Sequence, residues 1–228
     1  MGATIGIISG SGPEAGLDLH AKVLHAQRTL LGEHYRGDLD APRVVTIAEP
    51  RLGLSMELPD HEDDVWTALE AAARQLAPQV DVFAIACNTL NAYAERLRAL
   101  TLDAELITVA DVCAAFAASR GLDRLGLLGA APVTDLGAWS AYAALLPDVD
   151  LVTPQRPAEL HQLIHDIKLA GGATPDLDGR LRRIVDDLGV DPVLLACTEL
   201  PLLDVSGAGA ETVDVTELLA RSLVERAI

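Results

Sequence analysis

The chain has few aromatic side chains, 3% of its residues, and three cysteines in all. So few aromatics disfavour base-stacking surfaces and suit helices packed on a parallel sheet better than an aromatic-rich β-sandwich. An odd cysteine count in 228 residues does not describe a disulfide framework, and no Cys-x-x-Cys pair or Cys/His cluster has zinc spacing. Basic residues are also scarce: 17 Lys and Arg stand against 34 Asp and Glu, a formal charge of −17. The mean field therefore repels nucleic acid and anionic membranes, although a cleft can gather a few cations or helix N-termini around a small anion. No apolar run approaches the ~20 residues of a membrane-spanning helix, and the first residues run straight into a strand pattern. These absences lead us to expect a cytoplasmic protein without nucleic-acid or membrane partners, in a reducing compartment that suits thiol chemistry.

What is present is apolar material, half of the residues, mostly Ala, Leu and Val. Short aliphatic runs without polar alternation, as in strands buried on both faces, alternate with longer helical patterns. The pattern predicts strands over Thr4–Ile8, Arg43–Thr46, Val82–Ala86, Leu106–Val109, Leu125–Leu128, Asp150–Val152, Val193–Ala196 and Glu211–Val213. Helices are predicted over Pro13–Leu31, His61–Leu76, Thr89–Ala99, Val112–Ser119, Thr134–Leu146, Ala158–Leu169, Pro175–Leu188 and Val215–Ile228. The expected class is α/β, with mostly parallel four-stranded sheets flanked by helices.

A faint internal repeat runs through this order. Gly6-Ile7-Ile8 and its glycine turn are echoed by Gly126-Leu127-Leu128, the run from Asp81 to Cys87 by that from Asp191 to Cys197, and Thr108 to Asp111 by Thr212 to Asp214. Two pseudo-symmetric lobes follow, 1–104 plus 211–228 and 105–210, the last strand and helix returning to the first lobe. Such lobes would bring the carboxyl ends of both sheets to one cleft, where ligands of open α/β sheets bind.

Two of the three cysteines occupy that position, each ending an apolar run: Ala86-Cys87-Asn88-Thr89 and Ala196-Cys197-Thr198-Glu199. A cysteine between a strand end and a helix start lies near unpaired backbone N–H groups and the positive end of the helix dipole, which favours thiolate. Two in matching contexts suggest a pair of acid/base groups facing one small substrate. Asn88, Thr89, Thr198 and Glu199 serve either as helix caps or as contacts to ligand oxygens. Cys113, within an apolar helical pattern, reads as core. The turn Ser9-Gly10-Ser11-Gly12-Pro13 matches no nucleotide fingerprint, and can be a mere turn or one that offers N–H groups to a carboxylate. Arg51 and Lys168 are candidate counter-charges or plain surface cations. His161 and His165, at helical spacing but without a zinc-protease Glu, read as a solvent-facing pair.

With Ala-Cys-Asn-Thr, Ala-Cys-Thr-Glu-Leu-Pro-Leu-Leu, the Gly-Ser-Gly-Pro turn and the Lys168 segment in view, the chain resembles the cofactor-independent aspartate/glutamate racemase family from end to end. The resemblance implies two pseudo-symmetric lobes, a homodimer, no metal or organic cofactor, and an amino acid or dicarboxylate as substrate. It assigns Cys87 and Cys197 the role of two bases, with Asn88, Thr89, Thr134 and Thr198 contacting the substrate carboxylate. Ser11, Gly12, Arg51, Lys168 and Glu199 complete the candidate substrate site. The chain departs from the common pattern at Ser11, where many members have Met, at Asn91, where they have His, and at Ala48-Glu49-Pro50. A cleft-facing Glu49 would repel a second substrate carboxylate or hold an amine.

The expected reaction is a two-base proton transfer that inverts an α-carbon. Maleate-type cis–trans isomerases and hydantoin racemases of the same superfamily also use two thiols, while an arylmalonate decarboxylase type works with one. The Thr-Glu-Leu-Pro tail after Cys197 favours the amino-acid branch. From another class, a two-lobed protein that only binds a small acid would carry the same cysteines as inert lining.

Overall fold

The computed structural model describes residues 2–228. Strands β1 (Ile5–Ser9), β2 (Val44–Ala48), β3 (Val82–Ile85) and β4 (Glu105–Leu106) form an all-parallel sheet in the order β2-β1-β3-β4. Strands β5 (Arg124–Gly129), β6 (Asp150–Val152), β7 (Val193–Ala196) and β8 (Thr212–Asp214) form a second, in the same relative order, β6-β5-β7-β8. The helices are α1 (Pro13–Leu31), α2 (Glu62–Leu76), α3 (Ala94–Arg98), α4 (Val109–Arg120), α5 (Ala131–Thr134), α6 (Pro157–Ala170), α7 (Pro175–Leu188) and α8 (Val215–Ala227).

The two-residue period of the strands divides the core into three. Ile5, Ile7, Val82 and Ala84 of the first sheet share a central core with Leu125, Leu127, Leu194 and Ala196 of the second, closed by residues of α1, α4 and α8. Their neighbours Ile8, Phe83 and Ile85 face outward onto α2. In the second sheet Leu128, Val193 and Leu195 face outward onto α6 and α7. The repeated glycines mark the same crowded outer point in both lobes. A Cβ on Gly6 would lie 2.8 Å from the Phe83 Cβ, and one on Gly126 would lie 2.8 Å from Val193 Cγ2.

Three expectations need correction. The last strand does not return to the first sheet: β8 pairs with β7, Val213 opposite Leu194, as the fourth strand of its own repeat. Only α8 returns, packing on α1, with Asp214 capping it and binding Lys22 of α1 at 2.7 Å. Conversely, the strand expected over 106–109 is confined to β4, which belongs to the first sheet, Leu106 opposite Phe83. Val109 instead opens α4, because Thr108 and Asp111 form a reciprocal capping box with N–H donors at 3.1 Å each way. Finally, the helix expected over 134–146 breaks into α5 and a 3-10 segment, Ala141–Leu145. Leu136 sits at φ 54° between them, and the Gly137 N–H donates to Asp135 Oδ1 at 2.9 Å, an Asx turn that stops the helix.

Candidate active site

Cys197 follows directly on the buried strand β7 and Cys87 stands one residue further past the end of β3, and both line one cavity with Ser11, Ser55, Asn88 and Thr89 on one side and Lys168, Thr198 and Glu199 on the other. Cys87 and Cys197 are each 9% exposed, at the border between core and cavity. Asn91 fixes the turn after Cys87: its Nδ2 donates to the Cys87 carbonyl at 2.8 Å while its Oδ1 accepts from the Val109 N–H at 3.1 Å. The segment following Cys87 is a 3-10 turn, Thr89–Tyr93, before the short α3, and the one following Cys197 is a three-residue 3-10 turn, Leu200–Leu202. The expected long helix over 89–99 is therefore absent, and neither cysteine has a developed helix dipole to favour its thiolate.

The surroundings of the two sulfurs differ. The Cys87 sulfur is 3.7 Å from the Ser55 hydroxyl, which is itself 2.5 Å from the Ser11 hydroxyl. Cys197 donates its thiol to Glu199 Oε2 at 2.9 Å, and the same oxygen accepts from the Thr198 hydroxyl at 3.1 Å. Burial, reinforced by the neighbouring Glu199 carboxylate, pushes the Cys197 thiol well above its ordinary range. The thiolate preference expected for this position is thus reversed. Glu199 Oε1 meets Lys168 Nζ at 3.2 Å. Burial opposes the Lys168 charge, but Glu199 and the two cysteines outweigh it and raise the ammonium above its usual value. A buried carboxylate with one hydroxyl, one thiol and one ammonium is well satisfied.

Gly12, at φ 85°, backs onto this carboxylate: a Cβ there would lie 3.1 Å from Glu199 Oε1. Gly12, Arg51 and Thr134, all expected in the site, are not among the residues that line the cavity. Arg51 is exposed and forms a two-point fork with Glu49 at 3.0 and 2.9 Å, with its backbone N–H on the same carboxylate. Glu49, held down to about pKa 2 by that fork, is neutralised locally instead of charging the cleft. Thr134 turns its hydroxyl back to the Ala130 carbonyl at 3.4 Å, which leaves Ala130 to line the cavity. His161 and His165 are exposed and Cys113 is wholly buried, as expected.

Ser55 carries no sequence signal of its role. It lies in the 3-10 segment Pro50–Asp60, which has neither strand alternation nor a nucleophile motif, and only its Ser11 and Cys87 contacts reveal it. The space open between all these groups is about 20 Å³, roughly the room of one water molecule. Among the described residues, no group of three or more His, Cys, Asp or Glu is gathered closely enough to hold a metal ion, and no helix is long and apolar enough to cross a membrane.

Comparison with known proteins agrees with this architecture. A model of the Asp/Glu/hydantoin racemase family matches residues 8–223. Among solved structures, the Picrophilus torridus aspartate racemase superposes with a TM-score of 0.80 at 22% identity, covering 98% of this chain and 94% of that one. An aspartate racemase homologue from Pyrococcus horikoshii gives 0.77 at 22% identity, with 98% of both chains covered. The Thermus thermophilus glutamate racemase in complex with β-chloro-D-alanine gives 0.59 at 22% identity, with 98% and 79% covered. No curated protein sequence matches significantly.

Proposed function

The chain belongs to the Asp/Glu/hydantoin racemase family, whose members are isomerases, and from that premise we propose that it inverts the α-carbon of an aspartate- or glutamate-type amino acid by proton transfer between Cys87 and Cys197. The observation that carries this reading is the sharing of one small, polar-lined cavity by two thiols delivered from equivalent strand ends of a repeated fold.

In the proposed cycle, the Cys87 thiolate removes the α-hydrogen from one face while the Cys197 thiol delivers its proton to the other. The C–H electron pair passes into an enolate-like carboxylate and returns to carbon as the new C–H bond forms. Cys87 ends as thiol and Cys197 as thiolate, the state required for the reverse direction. Glu199 supports this division of roles, since its negative charge keeps Cys197 protonated at rest and holds the proton donor in place. Asn88, Thr89 and Ser11 are the proposed side-chain donors to the substrate carboxylate, where each well-placed donor is worth on the order of 3–4 kcal/mol in comparable oxyanion sites, while the Thr198 hydroxyl is already given to Glu199.

A panel of D- and L-amino acids incubated without added cofactor and read by chiral chromatography tests the reading. Interconversion of an acidic amino acid is expected. Ligand-induced thermal stabilisation with no interconversion of any member would favour a binding protein, and a thioether adduct formed with maleate would favour the cis–trans isomerase branch.

A further inference from the structure

Tyr142 is a fully buried tyrosine of the second lobe whose hydroxyl donates to Asn88 Oδ1, in the first lobe, at 2.5 Å. Asn88 follows Cys87 directly and lines the cavity. A side-chain amide has two nearly isosteric ends, an oxygen that repels an anion and an NH2 that binds one, and without a partner it presents either. A tyrosine hydroxyl that donates to the oxygen settles the choice. Burial pushes the Tyr142 ionisation well above its ordinary range, so it remains a proton donor throughout neutral and mildly alkaline pH. The buried Cys113 thiol lies near the same hydroxyl.

We propose that Tyr142 is a positioning residue that pins the Asn88 oxygen and turns its NH2 toward the cavity as a preorganised donor for the substrate's α-carboxylate. The assignment of the carboxylate as ligand rests on the racemase reading; the pinning of the amide does not. The contact spans the two lobes, so the donor is set only when they are together. Through this bond Tyr142 polarises the Asn88 amide, which strengthens its NH2 as a donor.

A double-mutant cycle and a spectroscopic readout test this. Tyr142→Phe keeps the ring and removes the donor. It is expected to lower kcat/KM about tenfold, as for the loss of one buried hydrogen bond, mostly through KM. In an Asn88→Ala background the same change should alter kcat/KM less than about twofold. An equal loss in both backgrounds, or no loss in the wild-type background, would overturn the proposal. By heteronuclear NMR, the Asn88 NH2 pair, assigned by its absence in N88A, is expected to move or broaden in Y142F and to shift when the wild type is titrated with an amino acid. A pair unmoved by Y142F would overturn the pinning even if no amino acid were racemised, while a pair that moves in a protein without racemase activity would sink only the racemase reading. If Y142F does not fold, Asn88→Asp decides, because it keeps an oxygen for Tyr142 and replaces only the NH2. A folded protein with KM raised about tenfold or more is expected, and an unchanged KM would overturn the proposal.

Discussion

The Cys197 thiol and the Glu199 carboxylate form a hydrogen-bonded pair at 2.9 Å, whereas Cys87, its counterpart in the repeat, has the neutral Ser55 hydroxyl at 3.7 Å. Two residues that occupy equivalent points of the sequence therefore have inequivalent electrostatics. A carboxylate beside a thiol opposes its ionisation, and a hydroxyl can donate to a thiolate. The asymmetry opposes ionisation at Cys197 and has no counterpart carboxylate beside Cys87.

Substitutions around Glu199 should move the Cys197 ionisation in opposite directions. Glu199→Gln removes the opposing charge, and Lys168→Met removes the ammonium that partly offsets it. Alkylation of Cys197 by iodoacetamide, followed by mass spectrometry across pH, is expected to begin at lower pH in E199Q and at higher pH in K168M than in wild type. K168M should also lose about 1–3 kcal/mol of stability in urea titrations, because it strands a buried carboxylate, and a K168M/E199Q double variant should regain part of it.

Ser55 joins the Ser11 hydroxyl to the Cys87 sulfur. Replacing it with alanine removes both contacts and is expected to cost about 1 kcal/mol of stability and to slow Cys87 alkylation several-fold, with Cys197 alkylation unchanged. Alkylation rates resolved by peptide mass mapping check this.

Alkaline stability should fall in a window set by the buried thiols. Burial pushes Cys113 up to about 12 from an ordinary value of 9.0, and Cys197 shifts in the same direction. Between pH 9 and about pH 12 the unfolded chain has released the Cys113 proton while the folded chain still binds it, so the unfolded state gains, and Cys197 acts in the same direction. The contribution is intact below pH 9 and declines as pH rises, by at most about 1.4 kcal/mol per pH unit for each thiol. Urea midpoints are expected to drop more between about pH 8 and about pH 10.5 in wild type than in Cys113→Ala, whose cavity cost is independent of pH.

Much of this was legible because the unbroken apolar runs of β1, β3, β5 and β7, buried on both faces, and the placement of Cys87 and Cys197 after such runs are local signals. What was missed depends on contacts between distant segments. Arg51 carries the same charge whether it faces the cleft or Glu49, and only the fork with Glu49 decides. Ser55 lies in a 3-10 stretch without periodicity, and the sheet membership of β8 depends on pairing with β7 that no local pattern specifies. The capping box at Thr108 and Asp111 was readable in advance, being a Thr followed three residues later by an acid, and would have moved the start of α4 to Val109.

The most direct test of paired thiol bases is α-hydrogen exchange into deuterated water by Cys87→Ser and Cys197→Ser, each offered the D- and L-enantiomers of the racemised amino acid separately. Neither variant is expected to racemise, and exchange, where it persists, should be confined to one enantiomer in C87S and to the opposite one in C197S. Racemisation at the wild-type rate by either variant, or exchange of both enantiomers by one of them, would contradict a pair of thiols acting on opposite faces of one carbon.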